Sequence, residues 1–600
     1  MTVFNPRILD ACTRDVVECL PVEQKAEILM HAMNLLKLTS HVSRHLVENG
    51  VQSCLQVDSL ASSQLINALL LRGRARMAAG EIKEATEDLQ SVLNLEPGNH
   101  VATSLLSMPN ASELPKSRLW GIQSGSRQLS PEIWRQIASC LPRRDLKTLL
   151  HIPHVLSRIS FEFVFEVLDF HLGACVTEDE SHGEWVGEEE DGYYHRDLKL
   201  EKYLAQRTAD IIARIMIDPG FSRLVRKLRI FASPHHRCDH MVFQTAMLSI
   251  ALPRLINLRH VSFAGSNEVA CKIAEVLATI HPNIRSLSLE PMVASHVPHL
   301  PQLTNLTKFS YVCHSGNHSV STFLAQNRST LRELQLSTCQ WTFPDKVVTL
   351  QNLTHLQFFG TFPASSTTIG DILSQGVNLE SLRLQCVLHC NPSDQFKDNL
   401  DALPRLRAFG FSVTDGSIGE VDDPTLFPTI AEFIRNHPSL EKLELSVPNE
   451  QYFQMRVGYD ASIMGALPSV PLLRHLDMSV TEDLAPGLAS WLIPRKTTSL
   501  SLSGLPRRDP YGFLHQMRAG IPTSLRFVGL DGMSVRDFAQ VVESSFPTSV
   551  RLARLNYKYF TVRWKTDGGL EMEEWPERRA QLHMGEWLES LGCEDVAWNL

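Results

Sequence analysis

Apolar residues recur along the chain at two spacings, and each spacing predicts a different element. From about residue 210, a leucine or another large apolar residue recurs in the order L-x-x-L-x-L, and successive strong copies begin 22 to 34 residues apart. This spacing predicts short strands, whereas Val269 to Ile280 and Phe538 to Phe546 carry apolar residues at the three- and four-residue spacing of a helix. A repeated strand-helix unit predicts an array built around a parallel sheet.

The strong copies are Val225-Leu228-Ile230, Leu258-Val261-Phe263, Ile284-Leu287-Leu289, Leu306-Phe309-Tyr311, Leu331-Leu334-Leu336, Leu353-Leu356-Phe358, Leu379-Leu382-Leu384, Leu406-Phe409-Phe411, Leu440-Leu443-Leu445 and Leu473-Leu476-Met478. Weaker copies follow at Leu500-Leu502, Leu525-Val528-Leu530 and Leu552-Leu555-Tyr557. The pattern is similar to that of leucine-rich repeats, which implies a curved parallel sheet in an α/β solenoid. The family's Asn or Cys after the last leucine is present only as Cys339, with Thr361, Thr414 and Thr481 as partial substitutes, so we expect an irregular solenoid.

An open α/β enzyme sheet is the alternative interpretation of these strands. It is disfavoured because no predicted strand ends in a glycine-rich phosphate loop or a G-x-S-x-G turn. The histidines and the cysteine between His235 and His240 crowd within six residues, with no second ligand cluster nearby, and Cys386 and Cys390 also lack partners. We therefore predict no metal site, no cofactor and no catalysis.

Before the strand array, the segment 126–173 predicts three short helices. Ser130 and Pro131 fit the start of the first helix, whose apolar face is formed by Ile133, Trp134, Ile137, Ala138 and Leu141. Asp145 is the expected N-cap of the second helix, and the apolar run from Val155 to Phe170 is the expected third helix. Three short helices cannot bury this much apolar surface alone, so a partner must cover part of it.

This segment resembles an F-box, through the positions Leu129, Pro131, Glu132, Ile133, Ile137, Leu141, Asp145, Leu146 and Leu149. It departs from the family by carrying Ser130 where proline is usual, with Pro131 one place later. The resemblance implies docking to a Skp-type adaptor and, through it, to a cullin ubiquitin ligase. The residues it assigns to adaptor binding are Leu129, Pro131, Glu132, Ile133, Trp134, Ile137, Leu141, Leu146 and Leu149. An ordinary three-helix piece of a helical domain is the alternative.

The first 110 residues predict helices. Ile66 to Asn99 resembles one tetratricopeptide unit, with Gly73, Gly80, Ala85, Leu89 and Pro97 at the required places. Glu23 to Leu38 and Ser40 to Val57 predict an earlier, degenerate helix pair, on which the unit would stack. Two functions are consistent with this region: a peptide-binding or self-association groove, and a helical cap that supports the next segment.

Composition limits the classes of protein that the chain can belong to. The 600 residues contain 43% hydrophobic and 20% charged residues and have a formal net charge of −9, which does not favour nucleic-acid binding. We expect no signal peptide, no membrane span and reduced cysteines, in the cytoplasm, the nucleus or both. The predicted organisation is 1–110 tetratricopeptide-like, 111–125 linker, 126–173 F-box-like, 174–210 acidic loop and connecting helix, 211–560 solenoid, and 561–600 C-terminal cap.

The residues between the leucines of each strand predict a binding face, because strand side chains alternate between the two faces of a sheet. The predicted substrate-facing residues are Glu333, Gln335, His355, Gln357, Arg383, Lys442, Glu444, His475 and Asp477. Their charges are mixed, so we expect a protein partner and no nucleic acid. The loops or the C-terminal tail near Trp564, Trp575 and Trp587 are the alternative binding surface.

The order of segments is similar to that of fungal F-box proteins with tetratricopeptide units before the F-box and leucine-rich repeats after it. The expected function is that of a non-catalytic substrate receptor of an SCF-type ubiquitin ligase. A leucine-rich scaffold that binds a partner without ubiquitination is the alternative.

Overall fold

The computed structural model describes residues 21–107, 130–172 and 198–593, with gaps at or within 35–40, 56–59, 152–154, 233–238, 282, 292–299, 313–319, 415–420, 482–492, 507–508, 534, 557, 566–568 and 576–590. The chain divides into two compact units. The first contains residues 1–139 and 148–159, and the second contains residues 140–147 and 160–600. Within the described ranges, no helix combines the length and the apolar character needed to cross a membrane.

The described α-helices lie either before residue 165 or among the strands, and short 3-10 turns accompany the strands. Those before residue 165 are α1 Val22–Asn34, α2 His41–Cys54, α3 Ser62–Ala79, α4 Ile82–Leu95, α5 His100–Ser107, α6 Pro131–Ser139, α7 Arg143–Leu149 and α8 Val155–Val164. Those among the strands are α9 Leu198–Ile217, α10 Pro219–Ser222, α11 Asp239–Ala251, α12 Asn267–Ile280, α13 Ser321–Asn327, α14 Thr368–Gln375, α15 Ser393–Lys397, α16 Leu426–Arg435, α17 Gln451–Val457, α18 Pro510–Met517 and α19 Val535–Ser545. Short 3-10 turns cover Leu252–Arg254, Leu300–Gln302, Leu350–Asn352, Ala461–Ser469 and Arg518–Gly520.

The predicted helix pair of residues 66–99 is present as α3 and α4. Gly80 ends α3 with a φ of 88°, a conformation that suits glycine. Gly73 lets the two helices approach closely, because a Cβ there would lie 3.2 Å from the Leu89 side chain. Asp88 on α4 bonds the two helices to each other, since its carboxylate accepts from Arg72 on α3 at 2.6 Å and from Arg76 on α3 at 2.9 Å.

One open sheet of sixteen strands dominates the second unit, and its strands follow one another in chain order. The strands are β1 Val167–Leu172, β2 Lys227–Ala232, β3 His260–Gly265, β4 Ser286–Pro291, β5 Lys308–Val312, β6 Glu333–Thr342, β7 His355–Phe362, β8 Ser381–Leu388, β9 Ala408–Val413, β10 Lys442–Ser446, β11 His475–Ser479, β12 Ser499–Ser503, β13 Phe527–Leu530, β14 Leu552–Leu555, β15 Lys558–Trp564 and β16 Leu570–Glu574. Pairing is parallel from β1 to β14 and antiparallel for the last two pairs. This arrangement is a solenoid-like α/β fold.

The leucines of the repeated pattern build the core of this unit. In register, Leu228 lies beside Val261, which lies beside Leu287, and the same row continues through the parallel part of the sheet. All three side chains are at most 2% exposed. A single hydrophobic cluster extends from Leu168 in β1 to Val562 in β15, so neighbouring coils stabilise one another by shared burial.

Two local predictions in the 126–173 segment were wrong. The run Val155–Phe170 is a helix only to Val164, and Val167–Leu172 is the first strand of the sheet. Leu168 pairs in register with Leu228 and Phe170 with Ile230, so β1 continues the buried rows of the sheet. Asp145 is not an N-cap but lies in the first turn of α7, which begins at Arg143.

The last predicted copy of the repeat was shifted by two residues. Leu552 pairs in register with Phe527, a position outside the leucine rows, whereas Ala553 and Leu555 continue those rows. The strand copy is therefore Val550-Ala553-Leu555. The sheet also extends beyond the predicted 211–560 range, because it begins at Val167 and ends at Glu574.

The side-chain hydrogen bonds expected between successive coils, three places after the last leucine of a strand, are only partly present. Thr414 donates to the Cys386 carbonyl at 3.2 Å, but the Thr481 hydroxyl has no hydrogen-bond partner among the described atoms, and the Cys339 side chain lies outside the described residues. Other coil-to-coil bonds come from asparagines that precede a strand copy. Asn257, Asn327 and Asn378 donate to carbonyls of the preceding coil at 2.6, 2.9 and 2.8 Å. These residues satisfy loop carbonyls that would otherwise lack partners.

Candidate functional sites

Helix α6 carries two exposed isoleucines on one face. Ile133 is 43% exposed and Ile137 is 38% exposed, whereas Ala138 is fully buried. Positions i and i+4 of a helix lie side by side, so the two isoleucines form one apolar patch. The Ser130 hydroxyl accepts from the Ile133 backbone N–H at 3.5 Å, which confirms Ser130 as the N-cap. A hydrogen bond from Ser130 also lowers the pKa of the Glu132 carboxyl.

The other residues assigned to this segment differ in exposure. Leu146 is buried, and Trp134, Leu141 and Leu149 are half-buried. Leu129 lies outside the described residues, and the exposure of Pro131 is not described. Arg143, at the start of α7, bonds within the second unit: its backbone N–H donates to the Glu589 carboxylate at 3.3 Å, and its side chain donates to the Val167 carbonyl at 2.9 Å.

The sheet has a polar face formed by the strand positions between the leucines. The predicted substrate-facing residues lie on it in two rows that the parallel register fixes. One row contains Glu333, His355, Lys442 and His475, and the other contains Gln335, Gln357, Arg383, Glu444 and Asp477. The register therefore places these residues on one face of the sheet.

The open half of this face, from β2 to β8, is accessible. His355 is exposed, and Glu333, Gln357 and Arg383 are half-buried. Glu333 pairs with Lys308 at 2.7 Å, and Gln335 accepts from Ser310 at 3.0 Å. These contacts join neighbouring strands at the surface and leave most polar side chains open to solvent.

The closed half, from β10 to β14, differs because most of its side chains are buried. Glu444 is 8% exposed and His475 is 1% exposed, so these two do not fit the prediction of substrate-facing residues. The Arg383 guanidinium reaches Glu444 at 2.7 and 2.9 Å. Gly410 separates them in register, and its lack of a side chain leaves room for Arg383 to cross β9.

A second group of charges lies beside this pair. The pKa of Asp477 is raised to about 7, mainly by burial and then by the Glu444 charge. Arg554 donates to Asp531 at 3.1 Å and crosses Gly529, where a Cβ would lie 3.3 Å from the Arg554 Nε. Ser501, in register between Asp477 and Gly529, is fully buried, and its hydroxyl has no hydrogen-bond partner among the described atoms.

The C-terminal segment covers the end of the closed half. Leu588 and Cys593 are fully buried against Phe527, Leu552 and Tyr559. Arg551 donates to the Leu591 carbonyl at 3.3 Å, and Arg526 donates to the Gly592 carbonyl. Phe527 and Leu552 occupy face positions that are polar on most other strands, which explains the misplaced last copy of the repeat.

The tryptophans of the alternative binding surface are largely enclosed. Trp575 is buried and donates to the Thr561 hydroxyl at 2.8 Å, whereas half-buried Trp564 donates to the Val550 carbonyl at 3.0 Å. Trp587 lies outside the described residues. An aromatic recognition surface formed by Trp564 and Trp575 would therefore require the terminal strands to open.

Sequence reasoning missed a set of arginines, because it considered only positions inside the strands. The residue just before a strand, at the second position of L-x-x-L-x-L, is arginine on eight coils: Arg226, Arg259, Arg285, Arg332, Arg407, Arg474, Arg526 and Arg551. All except half-buried Arg526 are exposed. A column-by-column reading of the repeat would have revealed this row.

The two candidate ligand clusters differ in how much of each the structure describes. Residues 233–238 lie outside the described part of the chain, and no group of three potential ligands occurs within that part. Cys386 is fully buried, and burial raises the pKa of the Cys390 thiol to about 11. Both thiols are therefore protonated near neutral pH, which makes them poor nucleophiles and poor metal ligands.

Comparison of the chain with protein-family models gives no match, and comparison with curated proteins gives none either.

Proposed function

We propose that the protein is a substrate receptor of an SCF-type ubiquitin ligase, in which residues 126–164 dock to a Skp-type adaptor and the polar face of the sheet binds a substrate protein. In this proposal the strand array is an irregular leucine-rich-repeat solenoid, and α3 and α4 form a tetratricopeptide-like unit. The proposal joins the F-box-like sequence of this segment to the large polar face that follows it.

The observation that carries the proposal is the apolar patch of Ile133 and Ile137 on α6. A large apolar side chain contributes roughly 1.5–3 kcal/mol when it is transferred from water to a buried contact. Two neighbouring isoleucines on a short capped helix therefore provide an anchor for a partner with an apolar groove. The F-box-like spacing indicates a Skp-type adaptor as that partner.

The test uses the full chain with Ile133→Lys and Ile137→Lys, which change the exposed patch. The matched control is Ile28→Lys with Leu29→Lys, because these side chains on α1 are 45% and 39% exposed. We expect the α6 variant to lose capture of a purified Skp-type adaptor while the α1 variant retains it. Equal capture by both variants would contradict adaptor docking through α6.

A second outcome distinguishes a receptor of a ubiquitin ligase from a leucine-rich scaffold. If the wild-type chain captures no adaptor at all but still binds a protein through the polar face, it is a leucine-rich scaffold without a role in ubiquitination.

A further inference from the structure

Between β2 and β6, four arginines lie in one line along the edge of the sheet where the strands begin, and Thr307 takes this position before β5. Arg226, Arg259, Arg285 and Arg332 directly precede β2, β3, β4 and β6. Their backbones are fixed in a continuous ladder. Arg259 donates to the Arg226 carbonyl at 2.9 Å, Arg285 donates to Arg259 at 2.8 Å, and Thr307 carries the ladder to Arg332 with two bonds of 2.8 Å.

Lys227 and Lys308 lie next to this line, at the first face position of β2 and β5. We call these four arginines and two lysines the basic edge. Glu166 lies 3.7 Å from Arg226, and Glu333 lies 2.7 Å from Lys308. The other four cations, Lys227, Arg259, Arg285 and Arg332, have no carboxylate within ion-pair distance among the described residues. The basic edge therefore carries a net positive charge.

These cations are close enough to repel one another. The pKa of Lys227 is lowered by burial and then by Arg229 and Lys308, and the pKa of His260 is lowered by burial and then by Lys227, Lys308 and Arg259. An anionic partner would relieve this repulsion, because an opposite charge within a few ångströms favours the charged form of each cation.

The length of the basic edge indicates the shape of its ligand. Neighbouring strands lie about 4.8 Å apart, so the line from β2 to β6 spans about 19 Å, the length of roughly six residues of extended chain. Glu380 and Glu441 occupy the same position before β8 and β10, where they interrupt the row of arginines. A short segment therefore fits better than a long polyanion such as a nucleic-acid backbone.

We propose that the basic edge binds a short, extended segment of a partner protein that is rich in aspartate and glutamate. Each guanidinium presents two parallel N–H donors to a carboxylate, and this geometry suits acidic side chains spaced along an extended chain. The proposal rests on the sheet alone and does not require adaptor docking.

The test measures fluorescence anisotropy of a labelled acidic octapeptide of aspartate and glutamate, mixed with the full chain at low salt. The variant is Arg259→Glu with Arg285→Glu. The matched control is Arg407→Glu with Arg474→Glu, which reverses the same repeat position on β9 and β11, outside the basic edge. We expect the first variant to weaken binding about tenfold or more and the control to change it by less than about threefold.

Salt and a second probe complete the test. Binding of the wild-type chain should weaken as ionic strength rises, because exposed charges are screened. Equal effects of the two variants, or tighter binding of a single-stranded octanucleotide than of the acidic peptide, would overturn the proposal. Adaptor capture by the Arg259→Glu, Arg285→Glu variant is measured in parallel and should match the wild type, so failure of either proposal can be recognised separately.

Discussion

The open and closed halves of the polar face are built from the same repeated strand but have different surfaces. In the open half, charged residues pair at the surface, as Lys308 does with Glu333, whose side chains are 50% and 39% exposed. At the start of the closed half, Glu444 on β10 forms an ion pair with Arg383, which reaches it from β8, and the side chains of Arg383 and Glu444 are 22% and 10% exposed. The difference arises from small residues such as Gly410 and Gly529, over which long side chains lie, and from the C-terminal segment on β13 and β14.

The position of a residue in the repeat therefore determines which face of the sheet its side chain points to, but not how exposed that side chain is. A residue between the leucines always points to the polar face, yet its neighbours in register decide whether water or a partner can reach it. The open half is therefore the better candidate for binding a partner, and the closed half contributes to the stability of the sheet.

The largest expected effect follows from removing one partner of the enclosed ion pair. Glu444→Ala leaves the half-buried Arg383 without its carboxylate, and we expect a loss of about 2–4 kcal/mol in the free energy of unfolding. Urea unfolding followed by tryptophan fluorescence measures this loss. The double variant Arg383→Met with Glu444→Leu removes both charges and should be more stable than the single variant. A single variant as stable as the wild type would show that the closed half is as solvated as the open half.

A smaller effect is expected from the pH dependence of Asp477. Its pKa of about 7 lies above the ordinary value of 3.8, because burial and Glu444 disfavour its charged form, while Arg554 and Arg383 partly offset them and Asp531 adds to the rise. Between these values the folded protein holds a proton that the unfolded chain has released. The free energy of unfolding therefore falls as pH rises through this window and levels off above it.

Asp477→Asn should remove this slope. Between pH 4.5 and 7.5 we expect the wild type to lose about 3 kcal/mol more than the variant. Urea unfolding at a series of pH values measures the difference. Parallel curves for the two proteins would mean that Asp477 titrates as a solvated carboxyl.

The smallest effect is expected in the open half. Glu333→Ala breaks the exposed pair with Lys308 and should change the free energy of unfolding by about 0.5 kcal/mol or less, because exposed pairs contribute little. The same urea experiment provides the measurement. A loss as large as that of Glu444→Ala would remove the distinction between the two halves.

The sequence predicted the strand array well because burial of leucines dictates its period. Each strong copy of the repeat lies at a strand, from β2 to β11. The sequence did not reveal β1, since the run from Val155 to Phe170 is apolar on most sides, and such a run does not decide between a buried helix and a buried strand. The last copy of the repeat was misplaced because Leu552 lies on the polar face and is apolar. It packs there against the C-terminal segment, a contact between distant parts of the chain.

The candidate sites were predictable to a lesser degree. The alternation of strand side chains identified the polar face, but the burial of Glu444 and His475 depends on Arg383 and on residues of other strands. The exposed patch of Ile133 and Ile137 follows from helical spacing. The row of arginines before the strands is visible in the sequence at the second position of the repeat, but how much of their charge is paired depends on which side chains lie nearby in the structure.

Adaptor docking can be measured as the mass of the complex between the purified full chain and a purified Skp-type adaptor. Size-exclusion chromatography with light scattering, at about 10 μM of each protein, detects a complex of micromolar affinity or tighter. We expect one species whose mass equals the 67.5 kDa chain plus one adaptor, and its loss in the Ile133→Lys, Ile137→Lys variant. Separate elution of the wild-type chain and the adaptor would rule out docking to a Skp-type adaptor.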